Sequence, residues 1–173
     1  MILKPLAVLA AASIVLAAPT ATAADIRIKV SNKVLTKKRD GDTRSNQRQL
    51  LVKIDNRERS AYQGVTMEWT VIARNIDNRK LSIAGSGSKQ VDIPASGEIE
   101  VSSDPFSFSK TEGKIKRIEE NRFRPDRPQF NVDPDTGTRY AGYIVVLKKD
   151  GEVIAEAATA GMKKRVRGLT TKK

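Results

Sequence analysis

The ten residues from Val65 to Arg74, VTMEWTVIAR, restrict the fold of this chain more than any other stretch. Val65, Met67, Trp69, Val71 and Ala73 recur at a spacing of two, and Thr66, Glu68, Thr70, Ile72 and Arg74 fill the alternate positions. A β-strand puts these two sets on opposite faces, one for burial and one for water. A helix would scatter the same apolar groups around its circumference, and the β-branched content also favours a strand. Trp69 is the one tryptophan of the chain, and its large apolar area belongs near the centre of a core.

Other segments repeat the pattern. Ile26, Ile28 and Val30 alternate with Arg27 and Lys29 in a first strand over Asp25 to Val34. TKKRDGDTRSNQR follows as a polar connection with a turn at Asp40-Gly41-Asp42, and Leu50, Val52 and Ile54 mark a second strand over Gln49 to Asn56. Beyond the Trp69 strand, Asn75 to Arg79 reads as a turn, Lys80 to Ala84 as a short strand and Gly85-Ser86-Gly87-Ser88 as a flexible loop. Gln90 to Ile93 and Glu98 to Ser102 flank a turn at Pro94 to Gly97, and Phe106 and Phe108 continue that sheet. Tyr143, Val145 and Leu147 alternate with Ile144 and Val146 before an Asp150-Gly151 turn and a return strand, the clearest hairpin of the sequence.

Between Lys110 and Tyr140 the alternation stops. This long basic segment carries three prolines, with one helical turn expected at Ile115 to Asn121. Phe123 and Phe130 are expected to plug the core and hold the loop down. The last residues, GMKKRVRGLTTKK, offer little to bury and are expected as a final edge strand or a frayed basic arm.

Met1 to Ala23 has a short positive start at Lys4, an apolar run from Leu6 to Ala18 and a small-x-small site at Ala21-Thr22-Ala23. It reads as a secretory signal peptide, placing the mature protein in the periplasm, at the cell surface or outside the cell. Its apolar run is shorter than the ~20 residues a spanning helix needs, so no transmembrane span is expected. The expected organisation is signal peptide 1–23, a β-sandwich over 24–160 and a tail or edge strand over 161–173. With Cys 0 and His 0, the chain has no disulfides, no Ser-His-Asp or Cys-His catalysis and no conventional zinc site. No enzyme activity and no cofactor are expected, a carboxylate-based carbohydrate-active enzyme being the weakest of three hypotheses.

Seven to nine short strands with no long helix and no repeat predict an all-β, antiparallel sandwich, with a small barrel as the alternative. The succession LLVKIDNRERSAYQGVTMEWTVIAR, followed by IPASGEIEV, resembles the immunoglobulin-like modules of bacterial surface proteins, of CARDB or fibronectin-III type, over Gln49 to Ser102. The resemblance implies an immunoglobulin-like sandwich and a role as spacer, adhesion unit or assembly part, a pilus-associated accessory included. It brings no catalytic residues with it.

The formal net charge of +12 is not spread evenly. Thr36 to Arg48 holds five basic and two acidic residues, Lys110 to Pro128 seven and four, and Met162 to Lys173 six and none, so the rest is close to neutral. A balanced scaffold presenting basic segments points to an acidic partner. The candidate binding residues are Lys37, Lys38 and Arg39, then Arg122, Arg124 and Arg127, then Lys163, Lys164, Arg165 and Arg167. A protein partner in the cell envelope, or an anionic polymer such as a glycan or lipopolysaccharide, fits this chemistry. Nucleic acid is disfavoured, because no nucleic-acid motif accompanies the export signal. The second hypothesis is structural, with assembly by pairing along an exposed sheet edge. Asp133-Pro-Asp135-Thr-Gly137 reads as a turn and not a calcium loop, lacking the further acidic positions.

Overall fold

The computed structural model describes residues 25–118 and 129–170, which leaves the expected signal peptide outside the described residues. Within them the chain forms β1 (Ile26–Asp40), β2 (Thr43–Asn56), β3 (Tyr62–Asn75), β4 (Leu81–Ile93), β5 (Glu98–Ser102) and β6 (Phe106–Thr111). These are followed by β7 (Ile115–Ile118), β8 (Gln129–Val132), β9 (Thr136–Lys149), β10 (Glu152–Ala158) and α1 (Met162–Thr170). All pairings are antiparallel, and the fold is an all-β, immunoglobulin-like sandwich.

One layer holds β1, β2 and, along the other edge of β2, β5 and β6 laid end to end. The second runs β4, β3, β9, β10. Lys110 and Thr111 of β6 pair with Gly137 and Thr136 of β9, so the layers join at one end. The break between β5 and β6 is satisfied locally: the Leu50 N–H donates to Ser103 Oγ at 3.0 Å, and the Ser103 N–H returns a bond to the Leu50 carbonyl at 3.0 Å. Pro105, which has no N–H to give a ladder, stands in this break.

Both layers supply the core. Leu50, Val52 and Ile54 of β2 meet Val65, Met67, Trp69, Val71 and Ala73 of β3, with Val145 and Leu147 of β9 and Phe106 and Phe108 of β6. Each fully buried aliphatic side chain contributes roughly 1.5–3 kcal/mol relative to exposure. The alternation read from the sequence therefore describes the buried face correctly, with one correction: Ile72, expected on the wet face of β3, is fully buried, where the pairing register shifts beside it.

Several local expectations are corrected. The polar connection after Val34 is not a loop: β1 and β2 run on to Asp40 and Thr43, leaving a turn of two residues. Gly85 to Ser88 is not a loop either, but the middle of β4, where Gly87 makes room for Trp69. Ile115–Ile118 is a strand, not a helical turn, and pairs with β8 as a small ribbon, which raises the strand count to ten among the described residues. Phe130 is 57% exposed and does not plug the core, while Phe123 lies outside the described residues. The tail is a helix from Met162, not an edge strand, because buried Met162 docks against Gly142 and begins the turn there.

Strand directions sort the connections between two ends. The β1–β2 turn, the β3–β4 turn, the start of β9 and the base of the ribbon share one end, called here the far end. The near end carries Asp25, the Asn56–Ser60 connection and the Pro94–Gly97 turn.

Candidate functional site

The inward column of β2 changes character along its length. Leu50, Val52 and Ile54 are apolar and buried, but Arg44, Asn46 and Arg48 continue the same column toward the far end. The sandwich opens there, since only side chains that reach water can end it. Across from these positions Phe106 pairs with Arg48, Phe108 with Asn46 and Lys110 with Arg44.

β1 joins this face through an irregularity. Val34 pairs with Arg48 and Thr36 with Gln47, so Leu35 is an extra residue, a β-bulge. A one-residue insertion reverses which side chains point inward. Lys37 and Arg39 therefore oppose Asn46 and Arg44 on the inner face, whereas Lys38 opposite Ser45 turns outward. The three consecutive cations Lys37, Lys38 and Arg39 are split between faces, and two of them are added to Arg44 and Arg48.

Arg39 and Arg44 stand directly opposite one another, an arrangement that costs roughly 0.2–1 kcal/mol without a counter-charge. Glu112 supplies it, at 2.8 Å from Arg44 and 3.9 Å from Arg39, and its own N–H is fixed to the Asp42 carbonyl at 2.9 Å. Three further ion pairs brace this end: Lys114 with Asp42, Lys116 with Asp133 at 3.6 Å and Lys110 with Asp135 at 2.6 Å. The Lys110 ammonium and then the Gly113 N–H hold the Asp135 carboxyl below its usual range, and the bond to Asp42 raises Lys114. Asp133 and Asp135 are thus committed to lysines. Among the described residues Lys37 and Lys38 have no ion pair, and Arg48 Nε donates to Asn46 Oδ1 at 2.9 Å.

Two concavities follow from this geometry. One, of about 300 Å³, is lined by Lys37, Lys38, Arg39, Arg44, Ser45 and Asn46. The other, of about 310 Å³, opens between β2, β6 and β9, with Asn46 and Arg48 on one side and Phe108, Thr138 and Tyr140 on the other. Asn46 lines both. Tyr140 is half-buried, and burial pushes its phenol above the ordinary value.

The structure brings together only part of the expected set. Arg122, Arg124 and Arg127 lie outside the described residues. Lys163 pairs with Glu156 at 2.6 Å, and Lys164 and Arg165 are exposed on α1, which packs on β9. The side chain of Arg167 lies outside the described residues. Arg44, Arg48, Lys110 and Glu112 were not singled out from the sequence. For Arg44 and Arg48 the signal was present in the even-numbered run Arg44, Asn46, Arg48, which keeps step with Leu50, Val52 and Ile54.

Neither family models nor curated proteins match this chain. A solved structure from the Northeast Structural Genomics Consortium is 16% identical over 79% of this chain and 89% of its own, with a TM-score of 0.38. A protein from Akkermansia muciniphila is 12% identical over 86% and 78%, with a TM-score of 0.34. Likenesses this distant carry no argument, and the CARDB or fibronectin-III type has no family model behind it. No helix among the described residues is long and apolar enough to cross a membrane.

Proposed function

We propose that this is an exported, non-catalytic binding protein of the cell envelope that docks an acidic protein surface or an anionic polymer through the basic face of its far end. One observation carries the reading: the bulge at Leu35 turns Lys37 and Arg39 onto the face that already holds Arg44 and Arg48. Cations at the surface steer an acidic partner, and guanidiniums held on paired strands then make charge-assisted hydrogen bonds with little ordering left to do. The exported state rests on the signal-peptide pattern of Met1 to Ala23. A kinship with CARDB or fibronectin-III modules agrees with such a role.

The test compares binding of anionic glycans, lipopolysaccharide and envelope extract at low and physiological salt. Tight, salt-sensitive binding lost in a Lys37→Gln, Arg39→Gln, Arg44→Gln triple variant supports the reading. Binding indifferent to both salt and that variant removes it.

A second reading has one observation in its favour. β4 is an edge strand of 13 residues that pairs only with β3 among the described residues, and it carries few charges. Strand addition there would assemble the protein with a partner, and a proline in β4 would abolish it.

A further inference from the structure

We infer that the cavity beside the basic face takes one acidic sugar ring of an anionic polysaccharide. The inference rests on the polyanion form of the proposed function and names its ligand.

Size comes first. At about 310 Å³ the cavity lies at the low end of ligand sites, which run from about 300 to 1,000 Å³, so it accepts one ring and excludes a folded peptide segment. Chemistry narrows the choice further. The half-buried Tyr140 ring supplies an apolar wall against which the C–H face of a pyranose packs, and the core residue Phe108 backs it edge to face, with centroids 6.1 Å apart and planes at 79°. Arg48 supplies the anion contact. Its Nε is spent on Asn46 Oδ1, which fixes the guanidinium and leaves the terminal N–H groups to grip a carboxylate or sulfate. With its oxygen so used, the Asn46 amide donates its N–H groups, and the Thr138 hydroxyl both donates and accepts, as sugar hydroxyls require.

Competing ligands match less of this lining. A phosphate chain has no ring for the apolar wall, and an aromatic acid leaves Asn46 and Thr138 facing nothing polar, a mismatch that sites penalise strongly. Lys110 adds no net charge, being neutralised by Asp135 at 2.6 Å. Because Asn46 borders both concavities, the acid group of the next sugar falls toward Arg44 and Lys37. The two hollows form one track.

The experiment is calorimetric titration of the full mature chain, at matched ionic strength, with a hexamer of galacturonate, a polyphosphate of equal charge and neutral dextran. Expected is galacturonate binding at least about tenfold tighter than polyphosphate, with dextran not bound. Thr138→Val, which keeps the side chain's shape, should weaken only the galacturonate complex, by about two- to tenfold, the worth of one hydrogen bond. Arg48→Gln should weaken it more. Equal affinity for the two polyanions, with Thr138→Val silent on both, overturns the sugar inference and leaves the polyanion reading standing. Dextran binding as tightly as galacturonate also overturns it, and binding of neither polyanion removes both.

Discussion

The indole of Trp69 occupies the space that a side chain on Gly87 would need. The two residues are direct cross-strand partners between β3 and β4, and a Cβ on Gly87 would lie 2.5 Å from Trp69 Cζ2 and 2.9 Å from Cε2. Gly87→Ala is therefore expected to lower stability by about 1–3 kcal/mol through overpacking. Urea unfolding followed by the fluorescence of Trp69 checks it, and an unchanged midpoint would show that the indole has room to move.

The bulge at Leu35 sets which cations face inward. Lys37→Gln combined with Arg39→Gln therefore removes two cations from the inner face, opposite Asn46 and Arg44, whereas Lys38→Gln removes one from the outer face, opposite Ser45. Circular dichroism should stay that of a β-protein while polyanion affinity falls and its salt slope drops by roughly two, one for each cation removed. Lys38→Gln should lower affinity and slope less than the double variant.

Glu112 restrains Arg39 and Arg44 at 3.9 and 2.8 Å. The pairs are partly exposed, so Glu112→Gln should cost no more than about 1 kcal/mol of stability. Polyanion affinity should rise, because two guanidiniums lose their internal competitor. A fall in affinity would place the acidic ligand elsewhere.

Asp135, held by Lys110 and the Gly113 N–H, titrates below the ordinary aspartate value of 3.8. A carboxyl whose pKa is depressed by folding contributes stability that is complete above its unfolded value and lost as pH falls through the lower, folded one. Acid unfolding should thus show a loss that begins in the usual carboxylate range, is completed only beneath it, and is absent in Asp135→Asn. Carbon-detected NMR titration of the carboxyl reads the same shift directly.

Two asparagines should respond in opposite ways. Asn56 is 1% exposed; its amide donates to the carbonyls of Ser60 and Pro94, both at 2.8 Å, and accepts from the Glu58 N–H at 3.0 Å. Asn56→Ala orphans these groups and should cost about 1–3 kcal/mol or more. Asn32 has a buried Oδ1 without a partner among the described residues, so Asn32→Leu should stabilise by about 1 kcal/mol. Thermal melts of the two variants decide both.

The residues that determine strand identity act locally, and that part was legible. Alternation at a spacing of two in Val65 to Ala73 and Leu50 to Ile54 depends only on neighbours along the chain, and these side chains are the buried ones. Where polar or glycine residues sit in strands, local signals misled. TKKRDGDTRSNQR and GSGS look like loops because their propensities are weak, yet ladder pairing with β2 and β3 carries them as strands. Ile115 and Phe130 look like core residues because they are apolar, but their ribbon projects from the sandwich and leaves them 71% and 57% exposed.

By itself the sequence determined an all-β chain, its inward faces, and a basic excess confined to a few segments, since period and charge are properties of residues in order. Tertiary structure alone decided which cations of different strands share a face. That Lys37 and Arg39 join Arg44 while Lys38 turns away follows from a register shift between two strands, and that Glu112 restrains two of them follows from a contact across 68 to 73 positions of sequence. Pairing register and long-range contact are set by the packing of the whole core, and no local pattern encodes them.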